Sequence, residues 1–289
     1  MVTQKYSKRK NQAVSNPNCL CGKNFYRTIF KGNTPEYRGN YYFELHKCVH
    51  CNLVRTLPIP DIYQYEQGYE ASTQSTGQYH QREKPWCLNH AREISKILAQ
   101  HPNLQSEKVL EVGCNGGEVI SILGKMKIAA EGCDVDSVAV EHGKKAGLNL
   151  FVHDFSTQEL DSKYGIIFAN HTFEHILHLE QAVANISNSL VSGGILSVRV
   201  PNYDGWIARI MGYKWGFLVP HQHVWHFTPK SLEHQIESSG DLKSIEMNCH
   251  SGLETVGSGA IKNWLKSRIA SLAIALNRGD EIIATFQKK

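Results

Sequence analysis

The sequence has no apolar run near the roughly 20 residues that a membrane-spanning helix requires. Its opening, Met1 to Lys10, is basic and polar with no apolar core, so a secretory leader is not expected and a cytoplasmic setting is. An excess of charge of one sign is also missing. The formal net charge is +4, and Lys5, Lys8, Arg9 and Lys10 match that excess by themselves. The rest of the chain is near neutral, which argues against nucleic acid as the main partner. No internal repeat is visible, and the G-x-G-x-x-G spacing that seats a dinucleotide diphosphate is absent. What is present is an ordinary globular composition, 41% hydrophobic, long enough for one good-sized domain and a small appendage.

The eight cysteines are unevenly placed. Cys19 and Cys21 form one close pair, and Cys48 and Cys51 another. In a cytosolic chain that spacing suits a metal better than a disulfide framework. Between the pairs lie aromatic and β-branched runs (Phe25, Tyr26, Ile29, Phe30; Tyr41, Tyr42, Phe43) but few aliphatics. So small a stretch cannot build a stable core alone, and a metal staple is physically motivated. Two cysteine knuckles joined by strands would make a zinc-ribbon-like module over residues 18–60, with Cys19, Cys21, Cys48 and Cys51 around a tetrahedral Zn2+. The first pair has one intervening residue where two are usual, so His46 or His50 could replace Cys19. Cys87, Cys114, Cys133 and Cys249 are expected to be buried and structural.

Four segments follow from this. Residues 1–17 read as a solvated basic tail, and 18–60 as the metal module. Residues 61–105 hold Tyr63, Tyr65, Tyr69 and Tyr79, a polar Ser72–Gly77 loop, and a helical pattern from Trp86 to Leu98. The tyrosines would line a cleft, or be aromatic core or surface. From 106 to 289 the chain alternates strands and helices. Strands are expected at 109–112, 128–134, 148–152, 164–170, 195–200, 242–247 and 280–286, with helices at 137–146, 179–190 and 230–239. Alternation at this spacing predicts an α/β domain with a doubly wound, mostly parallel sheet.

The first strand ends in a glycine corner, Glu111-Val-Gly113-Cys-Asn115-Gly-Gly117, and a helix begins at Val119. Glycines let a ligand approach the backbone, and the helix start offers unpaired N–H groups. The acid before the first glycine favours a positively charged ligand over a phosphate. S-adenosylmethionine has no phosphate and carries an ammonium, a sulfonium and a ribose diol. Asp134, at the end of the next strand, can accept both ribose hydroxyls, and Asp154 beside Phe155 can meet an adenine. Ligands of such sheets sit beyond the carboxyl ends of the strands.

Val109-Leu-Glu-Val-Gly-Cys-Asn-Gly-Gly117 resembles the first motif of class I S-adenosylmethionine-dependent methyltransferases. The resemblance runs from about residue 106 to the C-terminus and takes in Asp134, Asp154 and the Leu190-Val-Ser-Gly-Gly-Ile-Leu turn. It implies a Rossmann-like seven-stranded sheet. It places Glu111, Gly113 and Gly117 at the methionine end, Asp134 at the ribose, and Asp154 with Phe155 at the adenine. Asn170 and the loop after it would lie beside the methyl group. Asn115 stands where the family has glycine, and asparagine tolerates positive φ.

Methyl transfer needs alignment and, for a weakly acidic nucleophile, a base, and histidine suits that role near neutral pH. Two histidine clusters qualify, Asn170-His-Thr-Phe-Glu-His175 and Pro220-His-Gln-His-Val-Trp-His-Phe227. The Phe-Glu-His-Ile portion is shared by methyltransferases of the ubiquinone-biosynthesis type. The cysteine module together with His175 and His223 resembles bacterial sugar C-methyltransferases that carry a zinc-binding module. There a histidine after the fourth strand and a Glu-His pair in the later loop serve proton chemistry. Here Gln222 replaces the glutamate and cannot take a proton, so O-methylation of a sugar, nucleotide-sugar or polysaccharide hydroxyl is at least as plausible. His171 and His178 are expected at the surface or behind the site. The spacing 221, 223, 226 would suit a second metal but has no nearby acid, so a substrate-facing loop is favoured, with Trp225 and Phe227 anchoring it or stacking on a sugar. The alternatives are O- or N-methylation of another small molecule, lipid or macromolecule and, in another class, a non-catalytic zinc-ribbon interaction protein.

Overall fold

The seven-stranded sheet is built from runs whose hydrophobicity does not alternate, as strands covered on both faces require. Every residue of β4 (Val109–Val112) is buried, and so are the first six of β7 (Tyr164–Asn170). The computed structural model describes residues 19–23, 26–36, 39–59, 84–250, 268 and 271–289. The expected tail and the tyrosines from 63 to 79 lie outside the described residues.

An N-terminal sheet holds β1 (Tyr26–Asn33), β2 (Tyr42–Cys48) and β3 (Val54–Leu57). Helix α1 (Pro85–Gln100) leads to β4, α2 (Glu118–Lys125), β5 (Ala130–Asp134), α3 (Ser137–Lys145) and β6 (Leu150–Val152). After β7 come α4 (Leu179–Asn188), β8 (Leu190–Pro201), α5 (Trp206–Met211), β9 (Trp225–His226), α6 (Pro229–Ser239), β10 (Leu242–His250) and β11 (Glu281–Lys288). The large sheet has the order β10-β11-β8-β7-β4-β5-β6. β11 pairs antiparallel with both β8 and β10, and the β4, β5, β6, β7 and β8 pairings are parallel. The sheet is therefore the mostly parallel, seven-stranded α/β arrangement expected from the chain.

Helices cover it by apolar stripes. α1 buries Cys87, Ala91, Ile94 and Ile97 against α2 residues Val119, Ile120 and Leu123. α4 and α6 bury Val183, Ile186, Leu232 and Ile236 on the opposite core with Phe286 and Trp225. Each fully buried side chain of this size contributes about 1.5–3 kcal/mol. α6 starts cleanly because Thr228 and Ser231 form a reciprocal capping box behind Pro229.

Two details differ from the sequence expectation. β8 begins at Leu190, not 195, because the strand pairs with β7 through the glycine pair: Tyr164 faces Leu190 and Ile166 faces Ile195. Gly193, at φ +74°, takes up the extra residues as a bulge. The N-terminal sheet also has a fourth strand supplied by the second histidine segment, since β3 pairs antiparallel with β9, Val54 opposite His226 and Arg55 opposite Trp225. Thr56 Oγ1 and His226 Nε2 reinforce the seam at 2.8 Å, both buried.

Candidate active site

Strand register aligns the expected residues on one edge. Val112 is level with Cys133 on β5 and with Ala169 on β7, so Gly113, Asp134 and Asn170 emerge together at the carboxyl ends of three adjacent strands. Val152 is level with Asp134, which brings His153, Asp154 and Phe155 next along the edge. The sequence places them in series, and the parallel pairing makes that series spatial.

The glycine corner is tight and left-handed at three points: Gly113 (φ +75°), Asn115 (φ +51°) and Gly117 (φ +83°). A Cβ on Gly113 would lie 2.3 Å from Thr172 Oγ1, so the corner and the loop after β7 are packed backbone to side chain. Thr172 Oγ1 donates to Val112 O and Asn170 O, both at 3.1 Å, and ties the two together. Asp134 stiffens the corner from the other side: its Oδ2 accepts from Asn115 N at 2.8 Å and its Oδ1 from Asp136 N at 2.9 Å. Burial raises the Asp134 pKa, with those backbone bonds pulling against it. Each carboxylate oxygen keeps a lone pair for a further donor.

Glu111 is 4% exposed, and its Oε2 has no hydrogen-bond partner among the described residues; nor do Asn170 Nδ2 and Asn115 Oδ1. Burial, then the charges of Glu118 and Asp134, push the Glu111 pKa well above the carboxylate range. Unsatisfied buried groups of this kind are costly, and several on one edge are the signature of a polar ligand site. An ammonium or a sulfonium-bearing chain suits Glu111; a phosphate does not. Asp154 sits in a turn just past β6, where its Oδ1 accepts from Ser156 N at 2.8 Å. Phe155 is buried in the core cluster and meets His153 edge-on, centroids 4.5 Å apart.

The two histidine segments converge. His175 and His223 meet edge-on with centroids 4.7 Å apart, and His223 is 6% exposed. His175 Nδ1 lies 3.1 Å from Gln222 O; a carbonyl only accepts, so Nδ1 carries the hydrogen and donates it. Burial, then the neighbouring His175, His226 and His171, hold the His223 pKa well below its ordinary value, and it is a neutral imidazole. Glu174 fastens the segments: its carbonyl accepts from Val224 N at 2.8 Å and Trp225 N at 3.1 Å.

Three placements sharpen the sequence reading. His171 takes the second of its two expected placements, half-buried in a carboxylate network: Nε2 is 2.6 Å from Glu281 Oε1 and Nδ1 is 3.3 Å from Glu174 Oε1. Burial alone would lower its pKa, but the two carboxylates outweigh burial and raise it to about 9. Arg199 extends the network, bonding Glu281 at 3.3 Å and Glu93 at 2.6 Å. No spacing in the sequence points to Glu281, because it comes from the last strand. Trp225 and Phe227 take the anchoring alternative: both are buried, and Trp225 Nε1 donates to Ile176 O at 2.9 Å. The acid thought missing from the second histidine segment is Glu174, delivered by the first, 1% exposed.

The four cysteines of the N-terminal pairs also gather, with Cys19 and Cys51 sulfurs 3.4 Å apart and Cys21 and Cys48 sulfurs 3.7 Å apart. Gly22 and Asn52, each directly after a pair, take positive φ and close the two knuckles. A hydrogen bond from Cys51 lowers the Cys19 pKa to about 5, against burial, and raises that of Cys51 in turn. His46 points elsewhere, 2.8 Å from Glu44.

Comparison with known proteins agrees with this edge. The pattern of a methyltransferase domain matches residues 79–240. The chain is similar to the ubiquinone biosynthesis O-methyltransferase of Coxiella burnetii (strain RSA 331 / Henzerling II), 26% identical over 161 residues that cover 50% of this chain and 68% of that one. It is also similar to the ribosomal protein L11 methyltransferase of Campylobacter fetus subsp. fetus (strain 82-40), 27% identical over 130 residues, covering 42% and 45%. Among solved structures, a chain of the complex between the Haloferax volcanii Trm112 methyltransferase activator and a methyltransferase superposes with TM-score 0.55 at 14% identity, covering 78% of this chain and 97% of that one. Magnesium protoporphyrin IX methyltransferase from Synechocystis PCC 6803, solved with bound SAH, gives TM-score 0.52 at 11% identity, covering 79% and 97%. These two likenesses establish the fold. With the family pattern spanning more than half of it, the chain belongs to the methyltransferase-domain family and is a class I S-adenosylmethionine-dependent methyltransferase.

Proposed function

We propose that the chain transfers the methyl group of S-adenosylmethionine to a hydroxyl of a small acceptor, with a sugar, nucleotide-sugar or polysaccharide unit as the acceptor class. The observation that carries the reaction is the packing of the glycine corner onto the loop after β7 through Thr172, which joins the Glu111–Asp134–Asn170 edge to the His175–His223 pair. Glu111 and Asn170 face the amino-acid end of the cofactor, Asp134 the ribose, and Asp154 and Phe155 the adenine side. The acceptor oxygen meets His175 and His223. Attack on the sulfonium methyl is a displacement in line with the breaking C–S bond, and the site supplies position first and proton acceptance second. The acceptor class rests on the resemblance of the cysteine module and paired histidines to sugar methyltransferases. A phenolic acceptor is the second reading, favoured by the similarity to the ubiquinone biosynthesis O-methyltransferase.

The cysteine cluster supports a structural Zn2+. Four thiolates about 2.3 Å from a zinc stand about 3.8 Å from one another, close to the sulfur separations seen here. Among the described residues no helix is long and apolar enough to cross a membrane. The full chain is expected to bind S-adenosylmethionine in calorimetry and to add one methyl mass to members of a panel of hydroxylated sugars. Absence of cofactor binding would sink the reading; transfer confined to phenols would replace the sugar class by the second one.

A further inference from the structure

His171 occupies a left-handed backbone, φ +49°, where few residues other than glycine rest. Such a conformation persists only where its surroundings enforce it. Contacts from four parts of the chain do so. The backbone N–H donates to Arg199 O at 2.8 Å, which ties the loop to β8. Nε2 lies 2.6 Å from Glu281 Oε1 on β11, and Nδ1 3.3 Å from Glu174 Oε1 in the same loop. The ring also lies nearly parallel to Phe217, centroids 5.5 Å apart, a face that suits a cation. Carboxylates accept and do not donate, so each ring nitrogen needs a hydrogen. A neutral imidazole has only one and would aim a lone pair at one of the acids.

We infer that His171, clamped between Glu174 and Glu281, is a positioning residue for methyl transfer, acting through the residues around it. Asn170, just before it, stands at the cofactor edge with Gly113 and Asp134. Thr172, just after it, ties that loop to the glycine corner. Glu174, its second acid, carries the carbonyl that accepts from Val224 N and Trp225 N and so holds the segment of His223. One ring thus keeps the cofactor edge and the acceptor loop in register. This rests on the proposed placing of Asn170 at the amino-acid end of the cofactor and of His223 at the acceptor.

The clamp has a definite dependence on pH. Burial opposes a charge on His171, but Glu174 and Glu281 outweigh it and raise its pKa to about 9, from about 6.5 for a free imidazole. The other groups around it are Arg199 on β8, which bonds Glu281 and Glu93, and two histidines that burial keeps neutral, His90 on α1 and His223. A pKa raised by folding means that the clamp is complete below a pH of about 6.5 and is lost as pH rises through about 9.

The test is the affinity of the full chain for S-adenosylhomocysteine, measured by calorimetry across that range, beside magnetic resonance of its isotope-labelled histidine rings. In the unaltered chain, affinity is expected to fall as pH rises through about 9, together with the titration of one ring. His171→Asn tolerates the left-handed turn but cannot bridge the two acids. Its affinity near neutral pH is expected to be about fivefold lower or more, the size of a typical coupling through other groups, and the inflection to vanish. Glu281→Gln keeps the ring and removes one acid, so ring titration and affinity inflection should move together to lower pH. The amino group of the probe titrates alike in every sample, so only differences between chains report on His171. Equal affinity and inflection in the unaltered chain and His171→Asn would overturn the inference. Should His171→Asn not fold, Glu281→Gln decides: an affinity inflection that stays while the ring titration moves overturns it too. A chain that binds no S-adenosylhomocysteine at any pH rejects the placing of the cofactor and the inference together. Binding that is insensitive to His171 rejects the inference alone.

Discussion

Asp134 braces the glycine corner through Asn115 N and Asp136 N, and in the proposed function its oxygens also hold the ribose. Replacing it by alanine removes both. Asp134→Ala is expected to weaken cofactor binding by at least about tenfold, the loss of one or two charge-assisted bonds at about 1.5–3 kcal/mol each; calorimetry measures it. Gly113→Ala tests the corner itself. The added methyl meets Thr172 Oγ1 at 2.3 Å in a left-handed backbone, so a stability loss of about 2–5 kcal/mol is expected, read by thermal or denaturant unfolding. Asn115→Gly is the contrast, because φ +51° is already open to either residue. It should change stability by less than about 1 kcal/mol and preserve cofactor affinity in the same assays. That an asparagine can hold this left-handed turn was legible from residue chemistry alone.

At the level of elements, β9 is the informative one. It is two residues long, and its sequence, Trp225-His226, reads as part of a histidine loop. No periodicity marks it as a strand. It becomes one because β3 is an edge strand with unpaired groups and Thr56 offers a partner to His226. The loop that carries His223 is thereby held by the N-terminal sheet. Thr56→Val keeps the shape but leaves His226 Nε2 buried and unpaired, at a cost of about 1–3 kcal/mol. With cofactor affinity unchanged, a raised acceptor KM is the expected kinetic outcome, because the seam positions the loop carrying His223. An unchanged KM would separate the module from the acceptor site.

Across the whole molecule, the cysteine cluster is packed into the same core as the sheet domain. Cys19, Cys48 and Cys51 share a buried cluster with Trp225, Leu179 and Ile236. A metal held there stabilises more than its own knuckles. Removal of zinc by chelator is expected to lower the melting temperature of the full chain, and Cys48→Ser to lower it without metal-dependent recovery. Metal analysis should show the corresponding loss. If melting is unaffected by chelator, the cysteines are a packed thiol cluster only.

Local chemistry decided what could be read without coordinates. Glu111-Val-Gly-Cys-Asn-Gly-Gly117 is contiguous, so strand, turn and helix start, and the preference for a cationic ligand, are all written in neighbouring residues. The alternation of apolar runs and helical stripes likewise fixes an α/β sheet, because periodicity is a short-range property. The cysteine pairs suggest a metal by spacing alone, and the structure gathers all four sulfurs. Tertiary structure decided everything that depends on residues distant in the chain. It brought Glu174 and His175 to His223, tied His171 to Glu281 on the last strand, and buried Trp225, which otherwise reads as a stacking platform. Burial also turned Glu174 from an ordinary acid beside a histidine into a buried partner of His171. A sequence states which groups are present; only packing removes the water that would have satisfied them.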